Sequence, residues 1–153
     1  MPLIILLALL LVVLTFWFHF KVLLWLSNYA PGLAISDQNR VLSIILVLFF
    51  AHMIEIGFYA IMFACSINIF ELGTLEGIKV NDPMEYLYFS SVLFTSLGIG
   101  DTYPMGHIRF LTGVEALNGL LLIAWSASFT FLVMGDLWPQ IKCCDTDEPP
   151  PEG

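Results

Sequence analysis

Hydrophobic residues in this chain come in long unbroken runs, with few polar positions inside them. The first run extends from about Leu3 to Leu26 and is interrupted only by Thr15, His19 and Lys21. A second runs from about Val41 to Ile69, and a third from about Ile108 to Met134. Each reaches the ~20 residues that a helix needs to cross ~30 Å of hydrocarbon. The pattern therefore predicts three membrane-spanning helices and an all-α integral membrane protein. The first two runs are joined by SNYAPGLAISDQNR, where Pro31, Gly32, Ser36, Asp37 and Asn39 mark a polar turn. Ser36 or Asp37 suits the N-cap of the second helix.

The stretch from Glu71 to His107 does not fit a simple loop. Its first part, ELGTLEGIKVNDPMEY, is polar and acidic. Its second part, EYLYFSSVLFTSLGIGDTYP, is apolar only for a stretch that ends at its glycines. About 10–14 apolar residues are too few to span a bilayer and suit a re-entrant segment. Asp82-Pro83 supplies an N-cap followed by a proline in the first turn, where its missing N–H costs least. A short helix from about Met84 to Thr95 is expected, followed by an extended Gly98-Ile99-Gly100 strand.

Non-helical backbone at membrane depth persists only where protein or a water-filled cavity surrounds it. Glycines at alternate positions open backbone angles closed to other residues, so successive carbonyls can face one axis. The short helix aims the negative end of its dipole the same way. Such an arrangement replaces the water of a monovalent cation.

Composition fixes the solvent. Of 153 residues, 59% are hydrophobic and 12% charged, against about 25% charged in soluble domains. The net charge of -8 argues against a nucleic-acid partner. Cys65 lies in an apolar run and Cys143-Cys144 are adjacent, so no disulfide framework is expected. The start of the chain has no basic region before its apolar run and is read as a retained helix rather than a cleaved signal. No span carries arginines at every third position, which sets a voltage sensor aside. No nucleophile–base pair is discernible, so neither enzyme activity nor a cofactor is expected.

Thr95-Ser96-Leu97-Gly98-Ile99-Gly100-Asp101 resembles the potassium-channel signature TVGYGD. YFSSVLF before it resembles that family's aromatic-rich pore helix. HIRFLTGVEALNGLLLIAWSASFTFLVM after it resembles the inner helix of bacterial two-transmembrane-type channels. The resemblance implies an N-terminal transmembrane helix and cytoplasmic loop over 1–40 and a pore domain over 41–135. Within that domain fall a pore helix at 84–95, a filter at 96–101 and an inner helix at 108–134, with a short acidic tail over 136–153. It also implies a homotetramer in the lipid bilayer of the cell (inner) membrane, with K+ as the permeant ion, Met1 outside and the C-terminus in the cytoplasm.

Residue by residue, the resemblance gives Ser96 the place of the filter threonine. Leu97, Gly98, Ile99 and Gly100 would offer main-chain carbonyls to K+, and Asp101 would stand at the outer mouth. Tyr88 and Phe89 match the aromatic cuff behind the filter, with Thr95 supporting it. Leu120, Ile123, Ala127 and Phe131 share one helical face that would line the pore, with Phe131 near its cytoplasmic constriction. Gly119 matches the hinge glycine, and equally suits close helix packing. Ile99 lacks the hydroxyl of the family's tyrosine, Leu97 is bulkier than its valine, and Val92 replaces a glutamate found in some members. A non-selective cation channel and a non-conducting accessory subunit therefore stand as alternatives.

Lys21, Arg40 and Lys142 would lie inside, and Lys79 and Arg109 outside. Glu71, Glu76, Asp82, Glu85 and Asp101 would give the outer mouth an acidic rim. His52 and Glu55 are three apart on the second span, and Glu115 and Asn118 three apart on the third. Ionisable groups inside a membrane mark function by default. His52 and Glu55 read either as a hydrogen-bonded packing network or as a proton- or metal-responsive contact, and Glu115 and Asn118 as further modulatory candidates. His19 and Lys21 are placed near the inner end of the first span, reaching out to the interface.

Overall fold

The computed structural model describes residues 2–32, 34–77 and 82–138. Helix α1 covers Pro2–Tyr29 and ends in a tight turn over Ala30–Gly32. Helix α2 covers Asp37–Asn68, strand β1 Gly73–Gly77, helix α3 Pro83–Phe94, strand β2 Thr102–Gly106 and helix α4 Ile108–Leu137. Helices α1, α2 and α4 are each long and apolar enough to cross a membrane. At 1.5 Å per residue they run about 42–48 Å, more than the hydrocarbon core requires.

Local chemistry accounts for the helix ends. Ser36 stands at the N-cap of α2 in extended backbone, without a side-chain cap bond, and Asp37 is its first helical residue. Asp82 caps α3: its side chain accepts from the Met84 amide at 3.0 Å, with Pro83 opening the first turn. Helix α3 is twelve residues long, about 18 Å, and cannot cross a bilayer.

Each span buries one stripe and presents the remainder outward. On α1 the stripe is Ile4, Ala8, Leu11, Thr15, His19, Leu23 and Leu26. It packs against α2 and α4, where Ile56, Tyr59, Phe63, Leu111 and Leu122 meet Phe89 and Phe94 of α3. A second cluster joins Leu23, Leu26, Ile44 and Leu48 near the other end of α1. Leu6, Val13, Trp17, Phe49, Phe50, Ile61 and Leu132 face outward, as lipid contact requires.

The polar stretch before α3 contains more order than its composition suggests. Strand β1 pairs antiparallel with β2, with Gly73 opposite Gly106 and Gly77 opposite Thr102. The Leu72 amide bonds to the Ser66 carbonyl at 2.9 Å, and the His107 amide to the Leu72 carbonyl at 2.8 Å. The ribbon therefore fastens the end of α2 to the start of α4, with α3 and the segment after it enclosed between. This two-stranded ribbon is an addition to the all-α architecture read from the sequence.

Candidate functional site

Helix α3 stops because the chain turns left-handed at Ser96. The Ser96 amide bonds to the Leu93 carbonyl at 2.8 Å, and the Leu97 amide to the Val92 carbonyl at 2.9 Å. This pair of bonds closes a helix with a left-handed residue just past its cap, a place that usually goes to glycine. Here Ser96 takes it at φ 56°, a conformation costly for a residue with a Cβ. Gly98 follows at φ 60° and Gly100 at φ 83°. Every second residue from 96 to 100 is thus left-handed, rather than the run forming an ordinary extended strand. Among the described residues, no carbonyl from Ser96 to Gly100 accepts a hydrogen bond, and all of these residues are exposed in the single chain.

The segment's far end is held from two sides. Tyr88 on α3 donates its hydroxyl to Asp101 Oδ2 at 2.7 Å, and this bond to the carboxylate raises the tyrosine's pKa, keeping it a donor. Immediately after Asp101 the chain enters β2. Phe89, one residue beyond Tyr88, is buried edge-on against Phe63 at 5.2 Å, and Val92 is buried one turn below. Thr95 caps the helix and returns its hydroxyl to the Ser91 carbonyl at 2.9 Å. Removing the tie at Asp101 with Tyr88→Phe is expected to loosen the segment's far end while the fold is kept. Faster amide hydrogen exchange over Gly98–Thr102, with an unchanged melting temperature, checks both halves.

Helix α4 presents two distinct faces. Glu115, Asn118, Gly119, Leu122 and Ser126 point into the protein. Leu120, Ile123, Ala127 and Phe131 are all exposed in the single chain, on a face with no partner among the described residues. Gly119 lies against the end of α3: a methyl added there would stand 2.2 Å from the Phe94 carbonyl oxygen and 2.9 Å from its ring. That contact leaves no room for a side chain at Gly119.

The polar residues of the spans converge. Asn118 Nδ2 donates to Thr15 Oγ1 at 2.7 Å and to the Tyr59 hydroxyl at 2.8 Å, joining α4, α1 and α2. Ser90 on α3 lies 2.9 Å from the Ile56 carbonyl and also reaches the Glu115 carboxyl. Further along, His52 Nδ1 meets Glu55 Oε2 at 2.8 Å, as their three-residue spacing anticipates. The same carboxylate meets His19 Nδ1 at 2.9 Å through Oε1.

His19 therefore does not reach toward the interface as expected: it is fully buried, on the inward stripe of α1. Lys21, two residues on, is exposed, with its ammonium 5.8 Å from the centre of the Trp17 ring. Glu55→Ala leaves two histidines without their acceptor. Leaving a buried donor without its partner costs about 1–3 kcal/mol, so the variant should unfold at a clearly lower temperature in detergent.

With this geometry in place, comparison with known families decides the class. A family model described as ion channel, of two-transmembrane type, matches residues 47–135. The chain belongs to this ion channel family. No curated protein and no solved structure matches it. The channel is a multi-pass, all-α membrane protein with three spanning helices.

The family match begins inside α2 and runs to the end of α4, so it takes in α3 and the Thr95–Asp101 segment. Helix α1 precedes it. Yet α1 contributes Thr15 and His19 to the channel's buried network, which makes it part of the packed core rather than an appendage. Lys79, Lys142, Cys143 and Cys144 lie outside the described residues.

Proposed function

We propose that the channel is a homotetramer that conducts K+ passively through a filter formed by Ser96, Leu97, Gly98, Ile99 and Gly100. The observation that carries this reading is the alternation of left-handed backbone at residues 96, 98 and 100, with no carbonyl between them accepting a hydrogen bond among the described residues. Unpaired carbonyls at membrane depth need partners. A ring of such segments around a symmetry axis supplies a dehydrated monovalent cation with oxygens in place of water. One such segment cannot enclose an axis, and closed symmetry provides the copies. The dipole of α3 points its negative end at the same place.

The two faces of α4 fit this assembly. Leu120, Ile123, Ala127 and Phe131 form the pore wall below the filter, and rings of these apolar side chains close the pore by dewetting. Tyr88, Phe89, Thr95 and Asp101 brace the filter. Glu71, Glu76, Asp82 and Glu85 lie exposed or half-buried on the β1 and α3 side of Asp101, and the five carboxylates make an acidic mouth that concentrates cations. In the cell membrane that mouth opens outside, and the C-terminal end of α4 reaches the cytoplasm.

Purified protein in liposomes loaded with K+ tests the reading. Valinomycin-independent K+ efflux and a particle mass of four chains are expected. Absence of flux together with another stoichiometry would point instead to a non-conducting accessory subunit.

A further inference from the structure

Two imidazoles, a carboxylate and a hydroxyl meet in one polar ring at the centre of the bundle. His19 Nδ1 and His52 Nδ1 meet the two oxygens of Glu55 at 2.9 and 2.8 Å. The other edges of the same imidazoles converge on one hydroxyl: Ser126 Oγ lies 3.0 Å from His52 Nε2 and 3.2 Å from His19 Nε2. The rings stack with centres 5.3 Å apart. His19 and Glu55 are fully buried, and His52 is partly so. The Trp125 ring lies 5.5 Å from His19 and the Phe94 ring 5.7 Å from His52, which keeps the surroundings apolar.

A neutral imidazole carries one N–H, a serine hydroxyl one O–H, and a carboxylate none. With both imidazoles neutral the ring has four contacts and hydrogens for three; a proton on one imidazole, or a cation at the carboxylate edge, supplies what is missing. If both Nδ1 atoms and Glu55 ligate such a cation, each imidazole carries its hydrogen on Nε2. Ser126 Oγ then accepts both, one on each lone pair. Ligating histidines are commonly oriented this way, by giving the remote N–H to an outer acceptor. The candidate ligand atoms all lie within 4.8 Å of one another. At metal–ligand distances of about 2.1 Å, a nitrogen and an oxygen about 3 Å apart subtend roughly a right angle, so the ligands would spread slightly to reach the tetrahedral arrangement that zinc prefers.

We propose that His19, His52 and Glu55 form a binding site for one divalent transition-metal ion. Two imidazole nitrogens and one carboxylate select zinc, cobalt or nickel over magnesium or calcium, which take oxygen ligands. The ligands come from α1 and α2, and Ser126 ties them to α4 one residue from Ala127 on its exposed face. Occupancy pins the helix outside the family match to the helix that faces the proposed pore. The site stands independently of conduction, because metal uptake is read on the protein itself.

The test uses the full chain in lipid nanodiscs, stripped with a chelator and dialysed against buffered Zn2+, with bound metal measured by atomic emission. One zinc per chain is expected. Uptake should weaken at least tenfold in His19→Gln, His52→Gln and Glu55→Gln, and remain unchanged in His107→Gln, which alters an exposed histidine. Ser126→Ala keeps every ligand and should weaken uptake about 10–100-fold, as loss of an outer partner does.

Two measurements need only the wild-type protein: Zn2+ should raise its unfolding temperature, and Co2+ should give visible absorption of nitrogen–oxygen ligation. Wild-type protein that takes up no Zn2+ overturns the proposal. So does uptake that persists in the His19→Gln/His52→Gln double variant, or that disappears in His107→Gln.

Discussion

Gly119→Ala is expected to bring K+ flux down to background although it leaves the proposed filter and its sequence untouched. The added methyl would lie 2.2 Å from the Phe94 carbonyl oxygen, and a main-chain atom has no rotamer through which to move aside. Either α4 withdraws or the end of α3 shifts, and Thr95–Gly100 hangs from that end. Overpacking of this kind costs about 1–3 kcal/mol, which a thermal melt in detergent should register. Liposome flux and the melt together check the prediction. Wild-type flux in Gly119→Ala would show that the contact between α3 and α4 does not set the filter's position.

Gly98→Ala should abolish flux by a different route, with the fold nearly intact. No described atom of the same chain lies within 4 Å of where its methyl would stand, so nothing within the chain is overpacked. The cost is conformational: φ is 60°, and left-handed backbone disfavours a residue with a Cβ by roughly 1–2 kcal/mol. The exposed chain relieves that strain by rotating peptides, which would turn the proposed filter's carbonyls away from the ion path. Paired melts and flux assays separate the two glycines: Gly119→Ala loses stability and conduction together, whereas Gly98→Ala loses conduction with a small change in melting.

Much of this architecture was legible in the sequence because the membrane simplifies the code. Long apolar runs with few polar positions marked α1, α2 and α4, and Asp82-Pro83 together with the glycines bracketed α3 to within a residue of its observed bounds. The ribbon was not legible. GTLEG and TYPMG are short, bounded by glycines or carrying a proline, and lack the alternation of a half-buried strand. They pair because α2 and α4 bring them together, which no local pattern records.

His19 was misplaced for a related reason. A helix that is apolar all round offers no contrast between an inward and an outward face, so a lone polar residue reads as reaching for the interface. One clue was available. Thr15 and His19 stand four apart, in register with the stripe that runs from Ile4 to Leu26. Two polar residues on one stripe of an apolar helix point to a shared interior. That Ser126 closes the ring depends on how the spans pack, and their sequence does not carry that.

The central claim is that free carbonyls from Ser96 to Gly100 form a filter for K+. Current through the purified channel in a planar bilayer tests it most directly, with K+ on one side and Na+ on the other. The account predicts a reversal potential that follows the K+ gradient and moves when the two solutions are exchanged. A reversal potential near zero in both arrangements would contradict it, leaving a cation pathway without preference for K+.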